Sequence, residues 1–374
     1  MSDNFKVPIT RILEINPHPN ADRLALATVY GFQVVVQKDR YKVGDLILYI
    51  PIDSIIPEWL ESRLFEPTSK VKLNNSRVRQ IKLRGLASQG MIVDISDVLD
   101  RITPLQHMDE VDVSQILGII KYEPPAPQVN TPGVKRLSNL KHEHSLFHKY
   151  NGLSHAKWYP NFFRGGDEVV IQEKLHGTNA RLSILPYEAN TLKKKLLKFF
   201  RLAPKEERVY GSNNVDITAA TEYKGFYGED VYGNCFHKMN AFDKVRLGEI
   251  VYGEIIGPSI QKNYTYGLTE HKFLVFDVKV LQNNGRFRWM NPDEVEVYCK
   301  DRGFQYVPLL YKGPYSHSLA YSLTKGPSVF DPSTKIREGI VIKASTGYDV
   351  DGNKNALKWI SEDYLSDTSN SDNH

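Results

Sequence analysis

Cysteine is nearly absent from the 374 residues, which contain only Cys235 and Cys299. Two isolated thiols cannot build a disulfide framework, and neither has metal-ligand spacing. A reducing, intracellular compartment (cytoplasm or nucleus) is therefore expected. No apolar run approaches the length of a bilayer span, and Met1-Ser2-Asp3-Asn4-Phe5-Lys6 carries no apolar core for a secretory signal. No membrane partner is expected. An excess of one charge is also missing, since 48 Lys and Arg against 44 Asp and Glu leave +4. That balance does not identify a polyanion ligand, so local distribution has to decide. The length allows two domains with a sizeable core each.

Residues 6 to about 120 read as mostly β. Val29-Tyr30-Gly31-Phe32-Gln33-Val34-Val35-Val36 and Leu46-Ile47-Leu48-Tyr49-Ile50 are β-branched or apolar runs, separated by turn clusters such as Lys42-Val43-Gly44-Asp45. Short strands at this spacing predict a small barrel or sandwich. Arg77, Arg79, Lys82 and Arg84 alternate with Val78, Ile81 and Leu83. Such a run lays cations along one face, ordinarily a solvated surface and alternatively a nucleic-acid contact. Four prolines between Pro124 and Pro132 exclude an element interior and mark an extended linker over residues 121–135.

Beyond the linker stand His142, His144 and His148. Three histidines with no cysteine and no fourth ligand make a weak zinc site, and a helical lead-in is the plainer expectation. In Leu192-Lys193-Lys194-Lys195-Leu196-Leu197-Lys198-Phe199-Phe200-Arg201, Leu192, Leu196, Phe199 and Phe200 fall on one helical stripe. An excursion packing that stripe on its domain is the first expectation. RNA-phosphate contact from the lysine face is second, and a membrane-surface helix third. Asn291-Pro292-Asp293-Glu294, followed by Gly303, predicts a capped helix on which Cys299 is structural. Residues 366–374 have nothing to bury and are expected to be disordered.

The chain is organised around Val169-Val170-Ile171-Gln172-Glu173-Lys174-Leu175-His176-Gly177-Thr178-Asn179-Ala180-Arg181. An apolar strand runs into a charged turn, with Lys174 between a glutamate and a histidine. A lysine there is ordinarily a surface charge. It becomes a nucleophile where the fold strips its proton, which costs about 4.6 kcal/mol at pH 7 from a pKa of about 10.4. Cationic neighbours, a metal ion or desolvation can supply that.

Glu173-Lys174-Leu175-His176-Gly177-Thr178-Asn179 resembles motif I of the covalent nucleotidyltransferases, in the form carried by nick-sealing RNA ligases. Further blocks resemble the other motifs in the family's order. They are Gly211-Ser212-Asn213-Asn214, Ile250 to Pro258, Phe273 to Val278, Glu338-Gly339-Ile340-Val341-Ile342-Lys343 and Ala356-Leu357-Lys358-Trp359. His18-Pro19-Asn20-Ala21-Asp22-Arg23-Leu24 is similar to the opening of tRNA-binding OB folds, an arrangement found in one branch of RNA ligases.

The resemblance implies an α+β protein: an N-terminal OB-type β-barrel over residues 1–120, the linker, and an ATP-grasp-like nucleotidyltransferase domain of antiparallel sheets flanked by helices over residues 136–365. It implies ATP-dependent joining of RNA 3′-OH and 5′-phosphate ends through a lysyl-AMP intermediate, with a nicked duplex as the substrate form and a monomer as the unit. Lys174 is then the nucleophile, and His176 acts after adenylylation. Glu173 reads the adenine amino edge, and Asn179 contacts the nucleotide near ribose or phosphate. Glu254 contacts the ribose and Phe276 stacks on adenine. Lys343 and Lys358 clamp phosphates, and Glu338, with Glu254, is a carboxylate for Mg²⁺ or Mn²⁺. Arg77, Arg79, Lys82 and Arg84 would contact RNA. Two positions depart from relatives: Asn213 stands where some carry arginine, with Arg181 as a substitute, and Ile360 where some carry a second lysine. The rivals are a DNA ligase or capping-type enzyme, and an OB-fold nucleic-acid-binding protein with an inactive ligase-like domain.

Overall fold

The computed structural model describes residues 5–65, 73–103, 109–122, 144–150, 152–218, 227–348 and 354–367. These fall into two compact units. The first comprises residues 1–124, 154–162 and 362–374, and the second residues 125–153 and 163–361. Two stretches that the sequence reading placed with the second domain, 154–162 and 362–365, thus cluster with the first unit. Most of the proposed linker (residues 123–135), His142 and residues 368–374 of the proposed tail lie outside the described residues.

The first unit is built from short strands. One sheet runs Met91–Asp94, Leu46–Ile50, Pro8–Arg11, Val111–Asp112, and another runs Glu14–Pro17, Leu24–Val29, Phe32–Gln37. In Leu24–Val29 and Phe32–Gln37 every second residue is buried, the period-2 pattern of a strand with one face on a core. Trp158 closes that core, 4.9 Å from the Tyr30 ring and 5.1 Å from that of Phe32. Lys157 is buried beside it, donating to Gln89 Oε1 at 2.6 Å and to Glu362 Oε1 at 2.7 Å. A buried ammonium needs such partners, so 154–162 and 362–365 supply parts that residues 1–120 lack.

The His18-Pro19-Asn20 phrase acts within this unit. His18 Nδ1 accepts from the Asn20 N–H at 3.1 Å, which leaves the proton on Nε2 to donate to the Leu83 carbonyl at 3.2 Å. Asn20 Nδ2 donates to the Arg84 carbonyl. Both bonds hold the hairpin of Ile81–Leu83 and Leu86–Ser88, whose two-residue turn is Arg84-Gly85, both with positive φ.

The second unit holds two mostly antiparallel sheets. Four strands of the first run in the order Lys354–Ile360, Gly339–Tyr348, Glu168–Lys174, Leu309–Pro314. The second runs Glu206–Ser212, Thr178–Pro186, Glu249–Ile256, Lys272–Leu281, Phe287–Trp289, with Gln305–Tyr306 added in parallel to Lys272–Leu281. Motif I leaves the first sheet at Lys174 and enters the second at Thr178, so its turn joins the two.

The helix Pro292–Arg302 carries the predicted capping box. Asn291 Oδ1 accepts from the Glu294 N–H at 2.8 Å, Glu294 Oε2 accepts from the Asn291 N–H at 2.7 Å, and Gly303 closes the helix at φ +67°. Cys299 is buried on it. Two expectations are corrected. Residues 144–150 are irregular rather than a helical lead-in. The helix Leu192–Phe199 forms, but none of its residues is buried.

Candidate active site

Strand alternation sets the site's floor. Lys174 pairs with Gly339, Gln172 with Val341 and Val170 with Lys343, while Lys358 pairs with Val341 and Ala356 with Lys343. Paired positions share a face, so Lys174, Lys343 and Lys358 stand on one face of the first sheet. Glu173, one position off, points to the opposite face. There its Oε2 accepts from the Val329 N–H at 2.8 Å, and its buried Oε1 has no hydrogen-bond partner among the described residues. The side chains of Glu173 and Lys174 are therefore not brought together.

Lys174 Nζ donates to Glu338 Oε1 in an ion pair. Glu338 is buried, fixed where Gly339 lets two strands close in; a Cβ there would lie 2.2 Å from the Trp359 carbonyl oxygen. His176 Nδ1 lies 3.8 Å from Glu338 Oε2. Its backbone N–H donates to the Tyr266 hydroxyl at 2.7 Å, and its ring meets the Tyr264 ring edge-on at 4.9 Å. Gly177 passes against the second sheet, where an added Cβ would fall 2.3 Å from the Ile255 carbonyl oxygen and 2.9 Å from Glu254 Cγ. Only glycine fits that approach. Its N–H donates to Glu254 Oε1 at 3.0 Å, and its carbonyl accepts from Gln261 Nε2 at 2.8 Å.

Asn179 pairs with Glu254, and Arg181 with Tyr252. The buried Asn179 Oδ1 has no hydrogen-bond partner among the described residues. Burial pushes the Glu254 carboxyl up to about 8; the charge of Lys174 lowers it, that of Glu338 raises it, and the Gly177 N–H lowers it. Arg181 is not available as a substitute for a ribose-holding arginine. Fully buried, it donates through Nε to the Ser212 carbonyl at 3.0 Å and through a terminal nitrogen to the Phe147 carbonyl, with the Phe147 ring 4.0 Å away. Asn213 Oδ1 accepts from the Tyr150 N–H at 2.8 Å. Both residues hold the segment before motif I.

Phe276 sits at a β-bulge. Tyr252 pairs with Asp277 and Gly253 with Val275, so Phe276 is the extra residue. A bulge re-aims a side chain, and this ring stands half-buried, edge-on to Tyr150 at 4.9 Å. Beneath it lies a charge cluster not foreseen from sequence. Asp277, 2% exposed, accepts from Lys343 Nζ at 3.0 Å through Oδ1, and from Lys354 Nζ and the Tyr150 hydroxyl (2.8 Å) through Oδ2. Lys343 also donates to the Phe276 carbonyl at 2.6 Å. Burial lowers both lysines, Lys343 to about 7. One carboxylate thus serves two buried ammonium groups. Lys354, Tyr150, Tyr264 and Tyr266 lie outside every sequence block singled out. Tyr264 and Tyr266 follow the block Ile250 to Pro258 by a few residues.

For a metal ion, Glu338 and Glu254 offer hard oxygen donors, the chemistry Mg²⁺ and Mn²⁺ select. The charge of Glu338 also raises the proton affinity of Glu254, which a cation would relieve. Among the described residues, no group of three His, Cys, Asp or Glu is placed to hold a metal. His144 is excluded as a ligand: Nδ1 accepts from the Leu146 N–H and Nε2 donates to the Pro186 carbonyl at 2.9 Å.

Residues 167–360, more than half of the chain, match the RNA ligase family. The chain belongs to that family. Residues 6–95 match an OB-fold domain, so the fold is an N-terminal OB domain followed by the ligase domain. Solved structures of Naegleria gruberi RNA ligase share the fold. A mutant with ATP and Mn has a TM-score of 0.72 at 22% identity, covering 96% of this chain and 98% of that one. The same ligase with PPi gives 0.70 at 21% identity, covering 96% and 97%, and a mutant with AMP and Mn gives 0.71 at 21%, covering 96% and 97%.

In the OB domain the basic run divides. Arg77 is buried, bonded to Asp53 Oδ1 at 2.5 Å and lying 3.6 Å from the Tyr122 ring. Its guanidinium is structural and closed to RNA. Arg79 is half-buried, and Lys82 and Arg84 are exposed.

Proposed function

We propose that this protein is an ATP-dependent RNA ligase that joins 3′-OH and 5′-phosphate ends through a lysyl-AMP intermediate, with nicks in duplexes as its substrate. The observation that carries this is Lys174 paired with Glu338 on a face shared with Lys343 and Lys358.

Lys174 Nζ must first leave Glu338 and lose its proton. It then attacks the α-phosphorus of ATP, forming an N–P bond as the P–O bond to pyrophosphate breaks. An RNA 5′-phosphate oxygen displaces the lysine, carrying AMP onto the RNA. The 3′-OH then attacks the RNA 5′-phosphorus and expels AMP. Each step is an in-line displacement in which the protein positions groups and neutralises charge. Lys343 and Lys358 would contact phosphate oxygens, and the half-buried Phe276 would stack on adenine. Asn179 and Glu254 would hold the ribose side, where Asn179 Oδ1, without a partner among the described residues, would accept from a donor such as a ribose hydroxyl. A divalent cation held by Glu338 and Glu254 would supply Lewis-acid charge neutralisation at phosphate oxygens. His176 would act after adenylylation. Glu173 would favour adenine through its backbone, since its carboxylate is held by Val329. The OB domain would align the nicked strands.

Gel assays with ATP or GTP on nicked duplex RNA, nicked DNA and single strands test this reading. Sealing of nicked RNA with ATP alone, absent in Lys174→Ala, is the expected result. Equal use of GTP, or sealing confined to DNA, would refute it.

A further inference from the structure

The helix Leu192–Phe199 stands on its domain the wrong way round. An amphipathic helix ordinarily turns its apolar stripe to the core. Here Lys194 and Leu197 face inward instead. Lys194 Nζ donates to Glu207 Oε2 at 2.7 Å, the Tyr187 hydroxyl donates to the Lys194 carbonyl at 3.1 Å, and Leu197 beside them is half-buried. The stripe points into solvent, with Leu192 76%, Leu196 50%, Phe199 78% and Phe200 62% exposed, and Leu202 following at 71%. Elsewhere exposed apolar side chains are scattered, which is ordinary. Five within eleven positions form a patch of the kind that marks an interaction surface.

The charges around the stripe select its occupant. Lys193, Lys195, Lys198 and Arg201 are exposed around it, and no Asp or Glu occurs from residue 192 to 205. A second copy would bring an identical set of cations against these, and like charges repel. RNA would engage the lysines, and its bases could stack on Phe199 and Phe200. It would leave Leu192, Leu196 and Leu202 in water. An anionic lipid surface covers both, taking the apolar side chains below the headgroups and the ammonium groups among them. We propose that residues 192–202 are a docking surface for an anionic membrane. Among the described residues no helix is long and apolar enough to cross a bilayer, so the contact is peripheral. A helix this short gives reversible, salt-sensitive binding.

The test is sedimentation of the full chain with sucrose-loaded vesicles, either phosphatidylcholine alone or phosphatidylcholine with phosphatidylserine. Binding at least about tenfold stronger to the anionic vesicles is expected, falling with salt. Leu196→Ser/Phe199→Ser and Lys195→Glu/Lys198→Glu should each lose about tenfold of it, with lysyl-AMP formation and melting temperature unchanged because these side chains are exposed. Three results would overturn the proposal. They are equal or no binding to the two vesicle types, a wild-type dimer that the Ser variant dissociates, and loss of nicked-RNA affinity in the Ser variant with vesicle binding intact.

Discussion

The ammonium of Lys174 rests on the carboxylate of Glu338, 164 residues away in sequence. The pair ties the strand that ends in motif I to the strand beginning at Gly339. It places the group proposed as nucleophile on the group proposed to carry the metal. Glu338→Gln keeps the shape and removes the charge. Adenylylation by this variant should fall by about two orders of magnitude or more, and Mn²⁺ binding followed by electron paramagnetic resonance should weaken. An unchanged rate would remove Glu338 from the chemistry.

The cluster of Asp277, Lys343, Lys354 and Tyr150 makes an ordered prediction about stability. Asp277→Asn leaves two buried ammonium groups without a counter-ion and should cost about 3–5 kcal/mol. Lys354→Met leaves Lys343 on Asp277 and should cost less, about 1.5–3 kcal/mol, the scale of one charged hydrogen bond. Urea denaturation measures both. Because the cluster lies under Phe276, both variants should also bind ATP more weakly. Equal costs would mean that Lys354 alone compensates the carboxylate.

The basic run of the OB domain should respond in two ways. Arg77→Met breaks a buried pair with Asp53 and should lower the melting temperature. Lys82→Ala and Arg84→Ala should leave it unchanged. If they touch phosphates, each reduces the salt slope of RNA binding by about one. A full wild-type slope in the double variant would move the RNA surface elsewhere.

Both thiols are buried, and burial pushes each up to about 12. At pH 8 they remain protonated and should resist iodoacetamide in the native protein, while an unfolded cysteine, with a pKa of about 8.5, reacts. Mass analysis should count no adduct before and two after denaturation. A native adduct on Cys299 would contradict its place on the Pro292–Arg302 helix.

Contiguous residues carried much of this into view from sequence. Motif I, the capping box at Asn291 and Glu294, and the β-rich first domain depend on local pattern, which a sequence displays. Burial of long cations does not. Arg77 and Arg181 read as free charges until Asp53 and the carbonyls of Ser212 and Phe147 are brought to them by the fold. Periodicity identified the stripe of the 192–199 helix but carries no information on which side meets the domain; the partner that decides, Glu207, comes from a neighbouring strand. Lys354, Tyr264 and Tyr266 belong to the site only through tertiary contacts. The sequence separation of Tyr150, Asp277 and Lys354 hid their cluster in the same way.

The proposed chemistry depends on Lys174 as the nucleophile. Intact-mass spectrometry of AMP-free protein after incubation with ATP and Mg²⁺ or Mn²⁺, with Lys174→Ala alongside, tests it directly. One added adenylyl group is expected on the wild type, located on Lys174 by peptide mapping, and none on the variant. An unmodified wild type under both metals, or an adduct that persists in Lys174→Ala, would contradict it.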